Sequence, residues 1–305
     1  MKKLFRKREF KFDFLKRDKL FYALSIVMLA ISVISFFARG MNYGIDFEGG
    51  VQIMATSSET VELKTVRKQL EFLRGVTVQS TGEDGKQVII QAQPDPKQNS
   101  AQLLTKIKDA LGSNYTYQSV EIIGPSIGNE LKEKSLLASV LALLAIAVYI
   151  WFRFEWPFAI GCLLALAHDL IIVVGIFSLF HIDFNMVVVA GLLALAGYDC
   201  NDSIVTYDRV RENLRKYRKM PVVELLNLSI NETLSRTILT SLTTLFVVLA
   251  LLFVGGDALF GFSLAMFLGV ILGTYSSIYI AVPLLKYFDI RKLGDTSDAT
   301  PDFNT

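Results

Sequence analysis

The chain has 305 residues, a formal net charge of +2, and a composition that is 52% apolar and 20% charged. The charged residues are concentrated in a few segments and the long segments between them hold almost no charge, which excludes an ordinary soluble enzyme and a disordered protein. The net charge is too small for nucleic-acid binding through bulk charge. Two Cys and two His residues are too few for a disulfide framework or a multi-histidine metal site.

Six apolar segments predict six membrane-spanning helices. A transmembrane helix needs about 20 mostly apolar residues, and backbone polar groups in lipid must pair within the segment. The first segment is longer than the apolar part of a signal peptide and lacks an A-x-A cleavage site, which favours a retained anchor. The predicted spans are 20–38, 135–152, 158–180, 186–206, 237–254 and 259–285.

The basic residues predict the orientation of these spans. Residues 1–19 hold nine Lys or Arg side chains, and the loop predicted at 207–236 and the tail at 286–305 are also basic. The connections 181–185 and 255–258 have no Lys or Arg. Because short basic segments stay on the cytoplasmic side of a membrane, we expect both termini and the 207–236 loop to be cytoplasmic.

Residues 39–134 then form an extracytoplasmic domain between the first and second spans. Strand and helix periodicities alternate along it in the order βαββαβ, which is that of the ferredoxin-like fold. The predicted strands are 51–56, 76–80, 87–93 and 116–122, and the predicted helices are 60–73 and 98–111. The domain holds no histidine, no cysteine and no nucleophile motif, so we interpret it as a binding or structural module. The fold class is therefore an α-helical integral membrane protein with a ferredoxin-like outer domain.

Several polar side chains lie within or beside the predicted spans, where ionisable groups mark functional sites by default. The candidates are His168, Asp169, Tyr198, Asp199, Asn201, Asp202, Arg236 and Thr240. Asp202 and Arg236 are at similar depth because their spans join on the cytoplasmic side, and Arg236 shares a helix face with Thr240. We expect these groups to line one polar seam within the bundle that carries protons.

Three of these residues also have simpler interpretations. Asp202 lies near the cytoplasmic end of its span and could reach interfacial water. Arg236 could extend its long side chain to the membrane surface. His168 is as well explained by a hydrogen bond within the bundle as by a role in a proton path.

The chain also carries an ordered set of short motifs that resembles the SecD/SecF family of bacterial protein-export membrane proteins, and within it the SecF proteins. This family belongs to the resistance-nodulation-division (RND) superfamily, and the chain corresponds to one six-helix half. The motifs are NYGIDFEGG at 42–50, GPSIG at 124–128, FRFEW at 152–156, AHD at 167–169, GYxxND at 197–202, DRxREN at 208–213 and NETLSRT at 231–237.

The resemblance implies a function in protein export at the bacterial inner membrane. Proteins of this kind pair with SecD, associate with the SecYEG channel, with YajC as a further partner, and use the proton-motive force to complete export of a preprotein. The family's proton-carrying aspartate corresponds to Asp202, and its companion arginine to Arg236. Membrane lipids are expected partners, whereas nucleic acid, a cofactor and a metal ion are not expected. No phosphate-binding GxxxxGK[ST] motif is present, so we do not expect the chain to hydrolyse ATP.

One position departs from the family pattern. The family has a small polar residue and an aliphatic residue after Gly-Tyr, where this chain has Asp199 and Cys200. Asp199 precedes Asp202 by three residues, so both carboxyl groups point to nearly the same side of the helix, and two close carboxylates disfavour double ionisation. Three interpretations of Asp199 stay open: it joins the proton path, it perturbs that path, or the Asp199–Cys200 pair is an engineered or incidental peculiarity of this sequence.

Three other function classes compete with this interpretation. A small-molecule or lipid exporter of the same superfamily would share the proton chemistry but needs a substrate pocket in a larger outer domain. A scaffold that only stabilises the channel complex would tolerate charge changes at Asp202 and Arg236. A membrane enzyme is the least favoured class, because no nucleophile–base pair or metal-ligand cluster is present.

Overall fold

The computed structural model describes residues 12–73, 75–81, 85–93 and 100–291. The basic residues before 12, the first two residues of the helix predicted at 98–111, and the tail after 291 lie outside the described residues. The elements in chain order are α1 (Asp18–Arg39), α2 (Ile45–Glu48), β1 (Gly50–Ser57), α3 (Leu63–Gln69), β2 (Thr77–Thr81), β3 (Gln87–Ala92), α4 (Ser100–Leu111), β4 (Tyr115–Ile123), α5 (Pro125–Arg153), α6 (Trp156–Leu179), α7 (Met186–Lys216), α8 (Val222–Val254), α9 (Gly256–Ser276) and α10 (Val282–Leu284).

Six of these helices are long and apolar enough to cross a membrane, which confirms the predicted number of spans. They are α1, α5, α6, α7, α8 and α9, and α9 runs into α10 through a π-helical turn at Ser277–Ala281.

Local hydrogen bonds and backbone conformation determine where these helices begin and end. The Asn185 side chain accepts a hydrogen bond from the Val188 N–H at the start of α7, 3.0 Å away. Gly40 ends α1 with a φ of 70°, a conformation that glycine adopts without strain.

The outer domain has the predicted βαββαβ order and a four-stranded sheet in the order β2-β3-β1-β4. All three strand pairs are antiparallel, with Ile53 of β1 opposite Ile90 of β3 and Val120 of β4. Alternate residues of β1 face the helices α3 and α4 and form the core of this domain with Leu70 and Ile107. This is the ferredoxin-like arrangement expected from the sequence.

The helices α6, α7 and α9 form the interior of the membrane part. The outward faces of α1, α5 and α8 expose large apolar side chains, among them Phe37, Phe152 and Phe253. In a bundle that lies in lipid, such faces need no protein cover. Small residues bring α1 close to α6, since a Cβ added at Gly175 would overlap the side chain of Ser32.

The segment 207–236 is mostly helical, which corrects its description as a loop. Helix α7 continues to Lys216 and α8 begins at Val222, so the turn between them is only 217–221. Both extensions contain several Leu, Glu and Arg residues, which favour helix, and neither contains Gly or Pro. Arg209 also bonds Glu212 within α7 at 2.5 Å and Glu232 of α8 at 2.7 Å, which holds the two extensions side by side.

Two glycine motifs that are distant in the sequence meet where the outer domain joins the bundle. Gly49 has a φ of 76°. A Cβ added at Gly128 would lie 2.9 Å from the Gly49 backbone nitrogen, and one at Gly50 would lie 2.6 Å from the Ala92 carbonyl oxygen. Both positions therefore need glycine because backbone approaches backbone there. The NYGIDFEGG and GPSIG motifs thus form the joint between the domain and α5.

Candidate functional site

The polar motif of the fourth span lies in the middle of α7 and sends its side chains in two directions. Asp199 and Asp202 point inward and are only 2% and 4% exposed. Asn201 is exposed on the outer side of the helix, and Tyr198 is half-buried between the two directions. This division follows from the helical repeat of 3.6 residues, which puts positions 199 and 202 on one side and position 201 on another.

Asp202 faces α8. The Thr240 hydroxyl and the Arg236 charge are close enough to act on its carboxyl group. Its Oδ2 has no hydrogen-bond partner among the residues that the structure describes. The Thr240 hydroxyl donates to the carbonyl oxygens of Arg236 and Thr237, at 3.1 and 2.9 Å. Asp202, Arg236 and Thr240 thus come together in one place between α7 and α8.

This group of three opens to the outside of the chain. Asp202 is buried, but Arg236 is exposed and Thr240 is half-buried. The sequence predicted a seam enclosed within the bundle, and that part of the prediction is wrong for Arg236. The reason is that α8 packs against α7 and α9 on one side only, which leaves its opposite side uncovered in this chain.

His168 and Asp169 form a second polar group on the other packing face of α7, with Asp199. Asp169 is 0% exposed. His168 Nδ1 lies 2.7 Å from Asp169 Oδ1, and the Ser276 hydroxyl of α9 donates to Asp169 Oδ2 at 2.5 Å. The carboxyl groups of Asp199 and Asp169 are near enough for their charges to act on each other. The predicted site residues therefore fall into two groups rather than one continuous seam.

Sequence reasoning missed the contribution of the last span. Ser276 and Gly273 of α9 face the second group, since a Cβ added at Gly273 would lie 2.6 Å from Asp199 Oδ1. A further hydroxyl pair, Ser241 and Thr274, joins α8 to α9 at 2.7 Å. The sequence signals were a Gly269-x-x-x-Gly273 pattern, typical of close helix packing, and the run of hydroxyl residues at 274–277 inside an apolar span. Neither pattern reveals which helix these residues face.

Side chains of two family motifs, FRFEW and DRxREN, contact each other at the 217–221 end of the bundle. Arg153 of α5 bonds Asp208 of α7 at 2.9 Å, and Arg211 of α7 lies 3.2 Å from Glu155, just before α6. Exposed ion pairs contribute little stability individually. Asn213, however, is 0% exposed and donates to Ser229 of α8 at 3.0 Å, so this contact fixes α7 against α8.

Within the described ranges, no three His, Cys, Asp or Glu side chains are placed to hold a metal ion. Cys162 and Cys200 are both buried free cysteines.

Two family models match the chain. The model described as protein export membrane protein SecD/SecF, C-terminal, matches residues 103–291, and the SecD/SecF GG motif matches residues 34–53. The protein translocase subunit SecF of Rickettsia rickettsii (strain Sheila Smith) is 43% identical over 289 residues, covering 93% of this chain and 94% of the relative. The subunit of the same name from Cereibacter sphaeroides is 38% identical and covers 94% and 92%.

Solved structures give the same result. The crystal structure of SecDF, a translocon-associated membrane protein from Thermus thermophilus, matches with a TM-score of 0.80 and 37% identity over 92% of this chain. A SecDF structure in a super-membrane-facing form matches with a TM-score of 0.69 and 38% identity over 95% of this chain. The chain spans about two fifths of these SecDF chains, 39% and 40%. The chain therefore belongs to the SecF family of protein translocase subunits.

Proposed function

We propose that this chain pairs with SecD beside the SecYEG channel and uses the proton-motive force to promote the late stage of preprotein export. The observation that carries the proposal is a buried carboxyl group, Asp202, beside the arginine and threonine of the next span. A buried ionised carboxylate is costly unless a positive charge or hydrogen bonds compensate it. Because the charge of Asp202 needs Arg236 and Thr240 nearby, the protonation of Asp202 is coupled to the position of α8 relative to α7.

The proposed cycle depends on the distance between Asp202 and Arg236. While the two are close, the guanidinium compensates the carboxylate charge. Movement of α8 away from α7 leaves the carboxylate without compensation, and it then takes up a proton. Passage of one charge across the membrane supplies about 2.3 kcal/mol per 100 mV, which can bias two helix arrangements.

The outer faces of α7 and α8 support SecD as the partner that covers this site. Ala190, Ala194, Gly197 and Asn201 are exposed on α7 at spacings of three or four residues, and Arg236 is exposed on α8. Small and polar residues on a membrane helix are typical of a helix–helix interface rather than a lipid-facing surface. We place the SecD spans against this face.

The proposed orientation has both termini in the cytoplasm and residues 39–134 outside. Arg209, Arg211 and Arg215 lie at the end of α7 with the 217–221 turn, whereas the connection 181–185 at the other end has no Lys or Arg. The positive-inside rule assigns the basic end to the cytoplasm. The outer domain then lies where it can contact a preprotein leaving the channel, and the basic end lies near anionic lipids. YajC is a further partner in this proposal.

Replacing Asp202 with Asn tests the proton-coupled function. The chain is co-reconstituted with SecD and SecYEG in vesicles, and preprotein release is measured with and without a proton gradient. Asp202→Asn is expected to abolish the gradient-dependent part. Asp208→Asn is a matched control, because Asp208 lies on the same helix but is exposed and pairs with Arg153 at the surface. Undiminished gradient-dependent release by the Asp202 variant would leave a scaffold function instead.

A further inference from the structure

Asp169 and Asp199 form a pair of carboxyl groups in the interior of the chain. They belong to different helices, α6 and α7, yet both face one turn of α9. Ser276 donates to Asp169 Oδ2 at 2.5 Å, and Gly273, one turn earlier on α9, lies against Asp199 Oδ1. With 0% and 2% exposure, both carboxyl groups are shielded from bulk solvent, where an ionised carboxylate is costly unless it is compensated.

The described side chains around the pair include no Lys or Arg that compensates its charge. Within the described residues, no Lys or Arg nitrogen forms a salt bridge with either carboxyl group. The titratable groups that surround them are His168 and Cys162 of α6, Asp202 and Tyr207 of α7, and Tyr275 of α9.

The neighbouring histidine is best described as neutral. His168 Nδ1 contacts Asp169, whereas its Nε2 is buried and has no hydrogen-bond partner in the part of the chain that the structure describes. A second proton on the ring would leave a charged N–H unpaired in the interior, which is costly. Two ionised carboxylates in contact would then repel each other without compensation.

We propose that Asp169 and Asp199 share one proton and form a second protonation site inside this subunit, separate from the Asp202–Arg236 group. Asp199 carries the proton and donates it to Asp169, which also accepts hydrogen bonds from Ser276 and His168. Loss of the proton would leave two adjacent anions and loosen the packing of α6, α7 and α9. The proposal deepens the proton-coupled function proposed above, since Asp202 lies three residues along α7 and is the next carboxyl group for exchange.

Infrared spectroscopy of the purified chain in complex with SecD tests this by counting protonated carboxyl groups. Their C=O band in normal and deuterated water is compared for the wild type, Asp199→Asn and the double variant Asp169→Asn/Asp199→Asn. We expect Asp199→Asn to lower the count of protonated carboxyl groups by one. Asp169 then ionises, because Ser276 and His168 still donate hydrogen bonds to it. The double variant should remove no more.

Either of two other counts would overturn the proposal. A loss of two equivalents in the double variant would mean that each acid has its own proton, and no loss would mean that both are ionised. If Asp199→Asn does not fold, Asp199→Ser allows the same comparison with a smaller polar side chain. The count is independent of transport, so failure of Asp202→Asn to affect export would sink the proposed function and leave this measurement unaffected.

Discussion

Asp46 of α2 accepts a hydrogen bond from the backbone N–H of Met186, the first residue of α7, with 2.9 Å between Oδ2 and the nitrogen. The first N–H groups of a helix have no partner within the helix, and a carboxylate there also interacts favourably with the helix dipole. Residues in the joint below the outer domain therefore hold the end of the helix that carries both buried aspartates. This contact connects the joint below the outer domain to the start of the helix that carries the proposed proton site.

Removing that carboxylate should loosen the start of α7. We expect Asp46→Ala to make local opening of the first turn easier by about 0.5–1 kcal/mol, the usual effect of losing such a cap. Amide hydrogen exchange in a peptide covering residues 184–189 should accelerate about two- to fivefold. Glu48→Ala is the control, since Glu48 is exposed in the same short helix. Equal exchange rates in both variants would show that Asp46 does not hold α7.

A side chain at Gly273 should disturb Asp199. The added Cβ of Gly273→Ala would lie 2.6 Å from Asp199 Oδ1, closer than van der Waals contact. We expect the single variant to lower the unfolding free energy by about 1–3 kcal/mol, as is usual for overpacking. Asp199→Ser removes the atom that clashes, so the double variant should recover most of the loss. Thermal unfolding of the four proteins measures this, and additive losses would contradict the contact.

A bulky residue at Gly197 should prevent SecD from binding while the fold of this chain stays intact. Nothing in the described structure lies within 4 Å of a Cβ built at Gly197, so Gly197→Leu should leave the unfolding temperature of the isolated chain unchanged. We expect it to abolish co-purification with SecD, because the position lies in the middle of the proposed interface.

Gly191 offers the matched comparison on the same helix. A Cβ there would lie 3.1 Å from the Phe262 carbonyl oxygen of α9, so Gly191→Leu should destabilise the chain itself. Normal recovery of SecD with Gly197→Leu would place the interface elsewhere.

Asp183, in the connection between α6 and α7, should make the free energy of unfolding depend on pH. Burial raises the pKa of Asp183 above its ordinary value, while the hydrogen bond from Asn42 and the nearby His181 only partly oppose this. A raised folded-state pKa means that folding favours the protonated form. The stabilisation is present below the unfolded pKa of about 3.9 and is lost as pH rises through the folded-state value.

Asp183→Asn keeps the group neutral at every pH and should remove this dependence. The unfolding temperature of the wild type is expected to fall relative to that of the variant as pH increases from about 4 towards neutrality. Asp208→Asn, in an exposed ion pair, serves as the control. A constant difference between the wild type and Asp183→Asn over this range would contradict the effect of burial.

The sequence was sufficient for the spans and for the order of elements in the outer domain. Each of these depends on local patterns, namely the length of an apolar run or the period of buried residues along one segment. The predicted strand at 116–122 corresponds to β4 at Tyr115–Ile123, for example, and the predicted helix at 98–111 to α4 at Ser100–Leu111. Local patterns were less reliable at 207–236. The basic residues there indicated a loop, but the segment consists mostly of extensions of α7 and α8.

The division of the polar residues into two groups was decided by the tertiary structure. The helical repeat predicts that Asp199 and Asp202 lie on nearly the same side of α7, but it contains no information about which helix packs there. Packing puts α8 with Arg236 beside Asp202, and α6 and α9 with Asp169 and Ser276 beside Asp199. Helix propensity and hydropathy are properties of one segment, whereas the environment of a buried carboxyl group depends on close packing between segments that are distant in the chain.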